Sequence, residues 1–172
     1  MKELKVDLFN SKKERVTTSI ELSKFNIFIG NDFYNIRTII RNFRLEDIVY
    51  AYGDFGSANC MSDHKNLVYR FVRHHSNKNK IVVIHTDSQF VLYTFNNLIF
   101  NYIVKDKMPA DLRDEMTCKD LMIDPNDIRI YQVENGIVTR IQNKDGLIEH
   151  NCFDNEMGII MNDFYKMIDY YE

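Results

Sequence analysis

A chain of 172 residues, 45% hydrophobic and 27% charged, is long enough for one domain with a real core. Its net charge of −3 gives no general pull towards nucleic acid, so such contact would need a local basic patch. Its three cysteines (Cys60, Cys118 and Cys152) lie far apart without CxxC or CxH spacing, so neither a disulfide framework nor a zinc site is expected.

Residues 3–9 and 15–22 predict two strands around a turn at Ser11-Lys12-Lys13. In the second, Val16, Thr18, Ile20 and Leu22 alternate with Arg15, Thr17, Ser19 and Glu21, the period-two pattern of a half-buried strand. Phe25 to Ile29 predicts a short strand ending at Gly30, followed by a helix carrying Ile36, Ile39, Ile40 and Phe43 on one face. Ile48 to Tyr52 is a further strand, closed by Gly53-Asp54-Phe55-Gly56-Ser57. Residues 62–75 predict a helix with Ser62 as N-cap and Leu67, Val68, Phe71 and Val72 at 3–4 spacing. Lys80 to Ile84 predicts a fully apolar strand, and 88–104 a helix burying Val91, Leu92, Phe95, Leu98, Ile99 and Tyr102.

Pro109 and the charges around it predict a loop or short insertion over 106–127. Ile128 to Val133 and Ile137 to Ile141 flank Glu134-Asn135-Gly136, and Asn-Gly is the strongest short hairpin signal. Asp145-Gly146 begins the next turn, and Phe153 to Tyr170 predicts a closing helix. Its carboxylates, Asp154 among them, are expected on a solvated polar face, and Tyr165, Tyr170 and Tyr171 form a candidate aromatic contact patch. No stretch approaches the roughly 20 apolar residues of a membrane span. The Lys-rich start lacks the apolar core of a signal peptide, so the expected compartment is the cytoplasm. The expected fold is α/β, a single domain with a mixed sheet and flanking helices. Residues 1–105 form its core, with antiparallel strands at the start, and 128–172 supply a C-terminal hairpin and helix.

Three segments, in order, carry a resemblance. The first is Ile20-Glu21-Leu22-Ser23-Lys24-Phe25-Asn26-Ile27-Phe28-Ile29-Gly30-Asn31. The second is Ile81-Val82-Val83-Ile84-His85-Thr86-Asp87-Ser88, running into Phe95-Asn96-Asn97-Leu98. The third is Ile130-Tyr131-Gln132-Val133-Glu134-Asn135-Gly136, with Asp145-Gly146-Leu147-Ile148 and the helix through Phe164. Together they resemble ABC-type ATPases of the RecF/SMC/OLD-nuclease kind: the strand into the phosphate-binding loop, the last core strand with its switch loop, and the C-terminal hairpin and helix. The resemblance implies a reduced P-loop NTPase-like sheet. It would place Gly30, Asn31, Arg37, Thr38, Thr86 and Ser88 around ATP, with Asp54 near Mg²⁺ and Asp87 in the switch loop.

The departures point away from catalysis. A working loop needs Gly-x-x-x-x-Gly-Lys-Ser/Thr, so that backbone N–H groups wrap the phosphates and Lys neutralises them. Here Asn35 stands for the second Gly and Ile36 for the Lys, while Asp32 adds negative charge. Arg37 comes one residue late, which on a helix turns it about 100° away. Asp54 is the one carboxylate where the family carries Asp-Glu, and Asp87 replaces the γ-phosphate-sensing His. Gly30 and Asp54 are too close in sequence to hold the family's helical signature lobe between them. Hence neither ATP nor Mg²⁺ is an expected cofactor.

The favoured reading is a degenerate, non-catalytic ATPase-like protein acting through protein contact. With ten Tyr, twelve Phe and no Trp, the composition suits an AT-rich genome, such as that of a phage or mobile element. In that setting such a protein would mimic or modulate a full-length ATPase. A second reading is a divergent ATP-binding protein or ATPase using Thr38, Arg37, Asp54 and Asp87. A third is a nucleic-acid-binding accessory using Arg70, Arg73 and Lys78, with steep salt dependence. Each residue also has a plainer role: Asp54 as a turn former, Thr86, Asp87 or Ser88 as a helix cap, and the basic run as a solvated helix end.

Overall fold

The N-terminal segment folds back on itself. Strands β1 (Lys2–Phe9) and β2 (Arg15–Leu22) pair antiparallel, with Phe9 opposite Arg15 and Leu4 opposite Ile20. The computed structural model of the chain describes residues 2–43, 48–52, 61–76, 80–116, 118–154, 157–158 and 160–162. One side of this hairpin is apolar and inward (Val6, Leu8, Ile20, Leu22), while Asp7 takes Arg15 and Thr17 on the other. Along β2 burial fades towards the turn, where Val16 is 37% exposed, so its predicted alternation is covered only at the end near the sheet, although Leu8 opposite Val16 in β1 is fully buried.

The main sheet contains β3 (Phe25–Ile29), β4 (Ile48–Tyr52), β5 (Ile81–His85), β6 (Ile128–Glu134) and β7 (Ile137–Arg140), in the order β4-β5-β3-β6-β7. The first four are parallel and β7 runs antiparallel to β6. All five residues of β3 are buried, as expected for a central parallel strand covered on both faces. Asn26 is tolerated there because its amide bonds Ser23 and the Val82 carbonyl.

Each face has its own core. On one, the hairpin and α1 (Phe33–Asn42) set Leu8, Ile20, Ile36 and Ile39 against Phe28, Val83, Tyr131 and Val133. On the other, α2 (Met61–His75) and α3 (Gln89–Val104) set Val68, Val72, Leu92 and Phe95 against Ile27, Val82, Ile84 and Ile130. Helix α2 begins at Met61, so Ser62 lies inside the helix instead of capping it. Leu67 is 42% exposed, off the buried stripe of Val68 and Val72.

The predicted loop over 106–127 holds more order than its charges suggest: α4 (Ala110–Asp114) and a 3₁₀ turn at Pro125–Asp127. It is tied to α3 because buried Asn101 donates to the carbonyls of Cys118 and Leu121, and Ile123 N–H bonds Leu98. The β6–β7 turn is the expected Asn-Gly type, with Asn135 at φ 51° and Gly136 at φ 76°. Helical backbone resumes at 152–154 and recurs at 157–158 and 160–162; Tyr165, Tyr170 and Tyr171 lie outside the described residues. Among the described residues no helix is long and apolar enough to cross a membrane.

Candidate functional site: the crevice at the ends of β3 and β5

Neighbouring strands β3 and β5 lead into helices on opposite faces of the sheet, α1 and α3. Such a divergence opens a crevice beyond the strands' carboxyl ends, where open α/β sheets take ligands. The residues predicted from the phosphate-loop and switch-loop segments lie at these strand ends and in the helix starts that follow them.

On the β3 side, Gly30 has φ +118°, and a Cβ there would sit 2.4 Å from the Val133 carbonyl oxygen. The close passage of β6 therefore demands this glycine, whatever else it does. Asp32 is the N-cap of α1, accepting from Asn35 N–H at 3.3 Å. Its other oxygen accepts from Asn35 Nδ2 at 2.8 Å and from Gly136 N–H at 2.9 Å. Asn35 in turn accepts from Phe9 N–H at 2.9 Å and donates to the Phe9 carbonyl at 2.7 Å.

The free N–H groups of a helix start attract an anion. Here a carboxylate of the chain itself is that anion. Ile36, standing where the family carries Lys, is fully buried in the core. Asn31 and Arg37 are exposed, and the Thr38 hydroxyl donates back to the Tyr34 carbonyl.

On the β5 side, Thr86 is buried, with its N–H on Phe28 and its hydroxyl accepting from Ser88 N–H at 3.1 Å. Ser88 is the N-cap of α3, taking Val91 N–H at 3.5 Å, and its hydroxyl lies 2.6 Å from His64 Nδ1. Asp87 is exposed. His85 meets the edge of Phe33, with ring centroids 5.5 Å apart. Its Nε2 is buried with no hydrogen-bond partner among the described residues. Burial pushes its pKa below the ordinary 6.5; Asp87 opposes this and Arg37 adds to it.

The crevice thus brings together Arg37, His85 and Asp87, while Thr86 and Ser88 are spent on internal bonds. Asp54, the candidate metal ligand, and Lys78 lie outside the described residues. Arg70 and Arg73 are exposed on α2. No group of three or more His, Cys, Asp or Glu able to hold a metal ion occurs among the described residues. Asp154 is not simply solvated as expected: it accepts from Tyr93 and Asn151.

Sequence reasoning missed two features. The Asp32–Asn35 lock has a signal, an Asx residue three positions before an amide at a helix start. The His64–Ser88 contact has none, since the two sit on separate helices. No family model, curated protein or solved structure matches the chain.

Proposed function

We propose that this chain is a shortened, degenerate relative of the RecF/SMC/OLD-type ATPases that works without catalysis, by contact with another protein. The observation that carries the reading is Asp32. Its carboxylate occupies the helix N-terminus a phosphate would need, and its three hydrogen bonds fix it there. A nucleotide phosphate would meet a negative charge in place of a Lys, and displacing Asp32 would also release the β6–β7 turn. Further support comes from Ile36, whose side chain is committed to the core.

Calorimetry with ATP and Mg²⁺, with ADP and magnesium-free controls, tests this. No binding heat at millimolar ATP is the expected result. Saturable, magnesium-dependent binding would overturn it in favour of a divergent ATP-binding protein. That second reading draws on Arg37 and Asp87, both of which act electrostatically on His85 in the crevice. Arg37→Ala would then abolish the binding.

A further inference from the structure

Helix α3 carries no charged residue over its whole length, and a helix that is apolar all round is ordinarily buried all round. Here one stripe is open. Phe90 is 37% exposed, Tyr93 40% and Phe100 49%, with Asn97 exposed between them. Their successive spacings of three, four and three residues match the a/d seam of a two-helix contact, with Asn97 at an a position. Continued to Val104, the stripe runs about 21 Å along the helix.

The two sides of the stripe differ in charge. Sheet order places α2 on the β4 side of α3, and the exposed charges among its described side chains are Arg70 and Arg73. Neither has an ion pair among the described residues. On the β6 side, Asn101 bonds the carbonyls of Cys118 and Leu121, and exposed Asp120 lies between those two. Asn96 accepts from Ile148 N–H, beside exposed Glu149, and Tyr93 donates to Asp154. Of the cations on that side, Lys119 is paired with Asp114, and Arg140 lines one concavity with both Glu149 and Asp154. Helices α2 and α3 each return between parallel strands, so they run the same way, and His64 Nδ1 meets Ser88 Oγ at 2.6 Å near their starts. At about 1.5 Å per residue, Arg70 and Arg73 fall level with Thr94 and Asn97. Glu149 and Asp120 are tied near the same level, at Asn96 and Asn101.

We propose that a second copy of the chain covers this stripe, the two α3 helices packing parallel and in register. A twofold axis along the helices sets Phe90, Tyr93, Asn97 and Phe100 against their own equivalents, and an a-position Asn facing itself fixes that register. The same axis lays the Arg70 and Arg73 side of each protomer over the Glu149 and Asp120 side of its partner. An antiparallel twofold would stack α2 on α2 and set the arginines against their own equivalents, so charge selects the parallel arrangement. Nothing in this dimer depends on whether the chain also contacts a different protein.

The test is sedimentation equilibrium of the wild-type chain, which should show a dimer of twice 20.5 kDa. Phe100→Glu should weaken the dimer about tenfold or more while leaving the circular dichroism spectrum unchanged. The surface double variant Arg70→Glu/Arg73→Glu should do the same, and adding Asp120→Lys/Glu149→Lys to that chain should restore the dimer. On mild oxidation, Phe100→Cys should give a covalent dimer that the wild-type chain does not form. Only parallel, in-register packing brings position 100 within disulfide reach of its own equivalent.

A mass of 20.5 kDa at every concentration up to millimolar chain would overturn the proposal and leave the stripe to a different protein. So would a dimer that neither Phe100→Glu nor the double arginine variant weakens, since the contact would then lie elsewhere. Absence of a covalent dimer from Phe100→Cys would overturn the parallel arrangement. Because nucleotide is absent from these measurements, their failure leaves the ATP calorimetry result standing, and the reverse also holds.

Discussion

Asp32 accepts a hydrogen bond from the Gly136 amide at 2.9 Å, across 104 residues of sequence. One carboxylate thereby caps α1 and pins the β6–β7 turn, while Asn35 extends the same knot to the end of β1 through Phe9. Asp32→Ala removes the cap and leaves Gly136 N–H without its acceptor. It should lower unfolding free energy by at least about 1–2 kcal/mol. Urea denaturation reads this directly, and Asp32→Asn, which keeps one acceptor oxygen, should fall between. An unchanged midpoint for Asp32→Ala would mean that the knot is not holding the fold.

Gly30 separates two explanations of the same glycine. If a phosphate requires it, Gly30→Ala should leave the nucleotide-free protein nearly as stable. If β6 requires it, the substitution should cost upwards of about 2 kcal/mol, because Ala must adopt φ +118° with its Cβ against the Val133 carbonyl. The geometry supports the second, and thermal denaturation without nucleotide is the measurement. A drop in melting temperature smaller than that of a surface substitution would contradict it.

Much of the fold was legible because its elements are strongly patterned. Ile81 to Ile84 reads as a buried strand, Asn135-Gly136 as a hairpin turn, and Val91 to Ile99 as a helix face, and the structure has each. Three features were not legible. Strand order depends on which face each helix covers, and no local pattern encodes that. The region 106–127 looked like a loop because its order comes from outside it, from Asn101 on the preceding helix α3. At the crevice, Thr86 and Ser88 read equally as ligand groups or as caps. Only the direction of their hydrogen bonds, inward to Phe28, Val91 and His64, separates the two.

Arg129 joins β6 to the N-terminal hairpin. Its Nε and one terminal nitrogen donate to Glu21 at 2.9 and 2.6 Å, and the other terminal nitrogen reaches the Ile128 carbonyl at 2.9 Å. The side chain is 11% exposed, against 35% for Glu21, so this pair is screened less than a surface one. Arg129→Met keeps the bulk and strands the acceptors, at a cost of about 2 kcal/mol in urea. Arg129→Lys should not rescue it, because an ammonium lacks the planar fork. Full rescue by Lys would show that charge alone matters here.

Tyr131 sets an alkaline limit. Burial, with the Glu21 charge adding to it, pushes its ionisation up to about 12 from 10, while its hydroxyl donates to the Glu21 carbonyl at 2.5 Å. Above pH 10 the unfolded chain loses this proton while the folded chain keeps it, so stability falls as pH rises from 10 towards 12. Absorbance titration of phenolate in the folded protein should show one tyrosine ionising last, and Tyr131→Phe should remove that step. Persistence of the late step in the variant would assign it elsewhere.

His85 works at the other end of the scale. Burial holds its imidazole neutral, with its pKa below 6.5 despite the opposing pull of Asp87. Once pH drops below 6.5, the unfolded chain takes up a proton there that the folded chain resists. The contribution of His85 to stability is therefore complete above 6.5 and shrinks as pH falls towards the folded value. His85→Gln should flatten the slope of the urea midpoint between pH 7 and the acid transition relative to the wild-type chain. Parallel slopes would mean that the imidazole protonates freely beside Asp87, and that the crevice is wetter than the enclosed Nε2 implies.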